Sequence, residues 1–138
     1  MPTKDLFHNQ VKNALVKDGW TITHDPYPLK FGGETVQVDI GAEAPLGAER
    51  EGKRIAVEIK SFVGRSPTTD LERALGQYGL YRFLLSRREA DRVLFLAVAD
   101  SVYERVFNTA DARDLIAALQ IFLLVFDPVE ERIVQWIL

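Results

Sequence analysis

The chain has 138 residues, 47% hydrophobic and 27% charged, which suits one domain spanning residues 1–138 with a core of its own. A net charge of −3 argues against tight non-specific nucleic-acid binding, which needs a basic domain, and the lack of cysteine excludes disulfides and thiolate metal sites. No apolar run approaches the roughly 20 residues that span a bilayer, and the opening Met-Pro-Thr-Lys-Asp has no apolar stretch of a secretory signal, so a cytoplasmic location without membrane association is expected.

The spacing of Leu6, Phe7, Val11, Ala14 and Leu15 predicts a first helix over about Thr3 to Asp18, capped by Thr3 and ended by Gly19. "WTITHD" reads as a short alternating strand, "DPYP" breaks it, and "FGGE" is a turn. Two strands follow, "VQVDI" and "RIAVEIK", joined through "APLGAEREGK". Ser66-Pro67 opens a second helix, Pro67 to Arg88, with Leu75, Leu80, Phe83 and Leu84 as its core stripe. "RVLFLAVA" is a continuous apolar run typical of a strand buried on both faces. A helical region from Ser101 to Leu119 breaks near Asn108-Thr109; "IFLLVFD" is another buried strand, and "RIVQWIL" returns after Asp127-Pro128. The mixture predicts an α/β chain, a central mixed β-sheet flanked by helices. The arginines of "GRSPTTDLER" and "SRREADR" read as solvated helix ends or as a local basic face.

Two of these strands carry an acid inside an apolar alternation. Val36, Val38 and Ile40 share one face and Asp39 takes the other; Ile55, Val57 and Ile59 share one face while Glu58 and Lys60 take the other. A symmetric hairpin from Ala44 to Lys53 puts Asp39 opposite Glu58, and a one-residue slip would drive Asp39 among the apolar side chains. Two close carboxylates repel, and they need a shared proton, a lysine or a cation. Mg²⁺ answers that need with oxygen ligands and can activate water beside a phosphodiester. A wet strand face also carries Glu and Lys as plain surface pairs, and the spacing alone does not choose between these readings. On the second helix Gln77 and Tyr81, four apart, share a face and offer an amide and a hydroxyl; packing alone would also explain Tyr81.

Together, Asp39, Glu58-Ile59-Lys60 and Gln77-x-x-x-Tyr81 resemble the PD-(D/E)XK nuclease superfamily, and the last element its RecB-like branch. The resemblance implies a restriction-endonuclease-like fold, Mg²⁺ or Mn²⁺ held by Asp39, Glu58 and the Ile59 carbonyl, and Lys60 as catalytic lysine. That superfamily often places a Glu, or in RecB-like members a His, on or before the first helix. No Glu lies in the helix here, which leaves His8, sharing a face with Lys12, as the supporting candidate. His24 reads as a residue that orients the "DPYP" turn.

"KDLFHNQVKNALVKDGWTITHDPYPLKFGG", "IAVEIKSF", "ALGQYGLYR" and "VQWIL" are more specific and look like the XisH family, the fdxN-element excision controlling factors of cyanobacteria. This resemblance implies a role in programmed excision of a DNA element in heterocysts, where a separate recombinase does the excision and a small XisI-type protein commonly accompanies XisH. Two functions follow as expectations. One is metal-dependent hydrolysis of DNA. The other is a regulatory module of little or no activity that binds DNA or a XisI-type partner. The edge of "IVQWIL", with Trp136, also suggests a homodimer.

Overall fold

The structure is a computed structural model and describes residues 5–44 and 53–138. The Thr3 cap and most of the loop after Ala44 lie outside the described residues. Helix α1 spans His8–Lys17, with the Asp5 carboxylate accepting from the Phe7 N–H just before it. Val11, Ala14 and Leu15 are buried, whereas Leu6 and Val16 face solvent. Gly19 turns the chain at φ 92°, a left-handed conformation that suits glycine.

Strand β1 is Thr21–His24, β2 Tyr27–Phe31, β3 Glu34–Val38, β4 Ile40–Ala44 and β5 Lys53–Ile59. Two differences from the sequence reading matter. The segment Tyr27–Phe31 is a strand, pairing antiparallel with β3 in a small two-stranded sheet of its own. The strand expected through Asp39 is also divided there: β3 belongs to the small sheet and β4 to the large one.

Helix α2 is Pro67–Arg88, its first turn capped by the Ser66 hydroxyl, which accepts from Thr69 N–H. Its buried stripe is Ala74, Tyr78, Tyr81, Leu84 and Leu85; Leu75 and Leu80 are only partly buried, and Phe83 is exposed beneath the Arg87 guanidinium. Strand β6 (Arg92–Ala99) leads into α3 (Asp100–Val102), a π-helical turn (Tyr103–Phe107), and α4 (Ala110–Leu119), whose N-terminus Thr109 caps. Strands β7 (Leu123–Asp127) and β8 (Arg132–Ile137) close the chain.

The large sheet has the order β1-β4-β5-β6-β7-β8. The β5–β6 and β6–β7 pairs are parallel and the others antiparallel, so the sheet is mixed. Its central strands are buried on both faces, as the unbroken apolar run of β6 requires. On one face Phe7 meets Phe126 edge-on at 5.8 Å and brings α1 down. On the other, α2 lies over β6, and the Tyr78 hydroxyl donates to the Leu94 carbonyl at 2.7 Å. Strand β8 is an edge, yet Trp136 packs inward on Trp20 and Phe95 at 5.7 and 4.8 Å. The arginines expected at helix ends are exposed at Arg87 and Arg88. Arg92 is buried instead, donating to the Ile55 carbonyl and lying over the Tyr27 ring. Among the described residues no helix is long and apolar enough to cross a membrane.

Candidate active site

The break at Asp39 explains the acid. Strands β4 and β5 pair with Ile40 opposite Val57, and the next step of that register brings Asp39 to Glu58. There the backbone leaves the ladder and the side chains take over its hydrogen bonds. Asp39 Oδ2 accepts from the Ile59 N–H at 2.7 Å, and Glu58 Oε1 accepts from the Asp39 N–H at 3.3 Å. Val38 and Ile40, on either side, are fully buried, so apolar packing clamps the bend. Lys60 holds its ammonium 3.4 Å from Glu58 Oε2. Asp39, Glu58 and Lys60 therefore meet at one place, at the end of β5.

Electrostatics follow from that crowding. Glu58 is 5% exposed. Burial, then the neighbouring Asp39 charge, push its carboxyl from 4.5 up to about 8, against the pull of Lys60. Burial raises Asp39 as well, opposed by the Ile59 N–H and by the Glu58 carboxyl. The pair as a whole thus keeps a proton at neutral pH. Tyr81 is buried on α2, and burial, then the Glu58 and Asp39 charges, push its hydroxyl up to about 12. It stays a neutral hydroxyl facing the acids. Gln77, one turn before it, has its Oε1 buried with no partner among the described residues.

His8 is 4% exposed. Its Nε2 lies 2.6 Å from Asp25 Oδ1, and Lys12 Nζ donates to Asp25 Oδ2 at 2.7 Å. Burial raises the Asp25 carboxyl, but the hydrogen bonds from Lys12 and His8 outweigh it and hold the group below its usual range. His8 is near enough for its charge to lower the Asp39 pKa, while Asp5 acts in the opposite sense. Asp5 and Asp25 are the two acids that sequence reasoning missed. An acid just before the first helix was a visible signal for Asp5; nothing local marks Asp25. His24 stacks edge-on against Tyr27 at 4.7 Å, a packing role in the turn.

The donor set suits a hard cation. Among the described residues Asp39 Oδ1 takes no backbone bond, and both acids offer oxygen. Within a strand a residue's N–H and C=O leave on the same side, so the Ile59 carbonyl faces the edge where its N–H meets Asp39. Among the described residues no three His, Asp or Glu side chains converge closely enough to hold an ion by themselves. An ion here would draw on two carboxylates, a carbonyl and waters, a set that fits Mg²⁺ or Mn²⁺. A cleft of about 550 Å³ opens elsewhere, lined by Trp20, Val93, Phe95 and Trp136, and neither acid contributes to it.

The family model described as XisH protein matches residues 1–134. The chain belongs to the XisH family. Among solved structures, that of a XisH family protein from Nostoc punctiforme is similar to this chain, with a TM-score of 0.86 and 43% identity, over 97% of this chain and 100% of that one. A second, described as an fdxN element excision controlling factor protein from Anabaena variabilis, is 42% identical, with a TM-score of 0.86 over 98% of this chain and 100% of that one. No protein of curated function matches significantly.

Proposed function

We propose that this XisH-family chain serves the controlled excision of a DNA element and that its acid pair is a PD-(D/E)XK-type site for Mg²⁺- or Mn²⁺-dependent hydrolysis of a DNA phosphodiester. The observation that supports this most is the acid pair itself. Asp39 and Glu58 are brought together in a largely buried site beside Lys60, where they hold a proton between them unless a cation takes its place. When bound, the ion supplies Lewis-acid chemistry, lowering the pKa of a water and neutralising phosphate charge. Asp39, Glu58 and the Ile59 carbonyl would hold it. The chain's own groups do the rest. The Ile59 N–H fixes the Asp39 carboxylate, and the Lys60 ammonium orients the attacking water and meets the charge that develops on phosphorus. Gln77 and the neutral Tyr81 hydroxyl hydrogen-bond the scissile phosphate or the water. Supercoiled plasmid incubated with Mg²⁺ or Mn²⁺ tests the reading: wild type nicks it, and Glu58→Ala lowers the rate by at least about a hundredfold, the scale of losing a charge-stabilising group. Equal nicking by both proteins overturns it.

One observation favours a second reading: the net charge is −3. It suits a regulatory module that engages DNA weakly, or a XisI-type protein, and licenses a recombinase with little cleavage of its own. Binding of a XisI-type protein that survives Asp39→Ala, with no nicking by wild type, would select this reading.

A further inference from the structure

His8 is nine-tenths buried and one of its ring nitrogens, Nδ1, has no partner among the described residues. The other, Nε2, lies 2.6 Å from a carboxylate oxygen of Asp25. A contact so short needs a proton between the two atoms. Asp25 accepts from Lys12 at its second oxygen and is held ionised, so the proton belongs to the ring. A neutral His8 is then the tautomer with N–H at Nε2 and a lone pair at Nδ1. That lone pair is buried and, among the described residues, unpaired, on a ring whose protonated form would lower the Asp39 carboxyl. An unsatisfied buried acceptor is costly unless something donates to it.

We propose that Asp25 is the positioning residue of this site, fixing His8 in the tautomer whose Nδ1 accepts a hydrogen bond from a water gathered by Asp39 and Glu58. His8 is not crowded against the two acids as a third ligand. It stands behind them as a proton acceptor for their water. Asp25 lies 17 residues from His8 in the chain and is delivered by the turn between β1 and β2. Lys12, one helical turn after His8, anchors the second carboxylate oxygen so that Asp25 cannot rotate away. This carboxylate–histidine arrangement is the general device for choosing which imidazole nitrogen faces the chemistry. The inference rests on the reading of Asp39 and Glu58 as a cation-binding pair, and its first test is independent of it.

Nitrogen NMR of the histidine rings in the metal-free protein reports each tautomer directly, and the chain has only two histidines, His8 and His24. Wild type should show His8 protonated at Nε2. In Asp25→Asn the amide turns its NH₂ toward Nε2, so His8 should switch to N–H at Nδ1. Mn²⁺ titrated by calorimetry should bind Asp25→Asn and His8→Gln about tenfold more weakly than wild type, the usual effect of an outer partner. Thermal melts of each variant establish that it is folded. N–H at Nδ1 in wild type, or no change of tautomer in Asp25→Asn, overturns the proposal. So does Mn²⁺ affinity that falls in His8→Gln but not in Asp25→Asn. If wild type binds no Mn²⁺, the cation reading falls, and with it the water that His8 would serve, while the tautomer result still reports on Asp25 alone.

Discussion

Glu58 is pushed to hold a proton first because it is buried and then because the Asp39 carboxyl stands beside it. The consequence for stability has a definite sign. The folded carboxyl titrates at about 8 against 4.5 for a free one. Between these values the folded state holds a proton that the unfolded state lacks, so rising pH favours unfolding. The melting temperature of the metal-free protein should therefore fall from about pH 5 to pH 8 as far as Glu58 is concerned. Glu58→Gln, neutral throughout, should lose that slope and melt higher than wild type at pH 8. A wild-type slope unchanged in the variant would place the proton elsewhere. The acids were legible in the sequence because a charged residue inside an apolar alternation is conspicuous at a glance. Asp25 was not. Asp25 lies in a polar turn, where acids are common, and its partners His8 and Lys12 reach it only once α1 has packed beside β1.

At the scale of elements, α2 was readable from end to end, since Ser66-Pro67 is a strong start signal and the pattern runs on to Arg88. Its buried face was less so. Phe83 is among the most apolar residues of the helix but points to solvent, while Tyr78 and Tyr81 turn inward. For Tyr78 the reason is a polar task inside. The Tyr78 hydroxyl donates to the Leu94 carbonyl at 2.7 Å and accepts from the Phe122 N–H at 3.2 Å, tying α2 to β6 and to the entry of β7. Tyr78→Phe should destabilise the fold by about 2 kcal/mol in urea unfolding, because it strands a buried carbonyl and an N–H together. An effect near zero would mean water replaces the hydroxyl. Strand β2 was missed because Pro26 and Pro28 suppress a strand reading; a proline is tolerated there because a two-stranded sheet has only edges. Arg92 was misread for a related reason. It follows an arginine-rich surface segment, but it opens β6 beneath the start of β5, where the Ile55 carbonyl needs a donor.

For the whole molecule the acid pair is a place where the fold carries repulsion, and a ligand that relieves it stabilises the native state alone. Mn²⁺ at a hundred times its dissociation constant should add about 2.7 kcal/mol. The melting temperature of wild type should rise with the ion at pH 8, and that of Asp39→Ala should not; equal shifts would locate binding elsewhere. The sheet order was only partly foreseeable, since alternation marks strands and not neighbours. The hairpin of β4 and β5 followed from its register, whereas the parallel β5–β6 pair was not read from the sequence. The small β2–β3 sheet depends on contacts no local pattern announces.

Asp39 is the residue at which one ladder stops and another begins. Its carboxylate is aimed by both, because β3 fixes the approach and β5 supplies the N–H that catches it. A chain with either ladder unformed, whether newly made or partly melted, has no acid pair. Whatever chemistry the pair performs is thereby confined to finished molecules, and its appearance during refolding should coincide with the last of the two sheets to form.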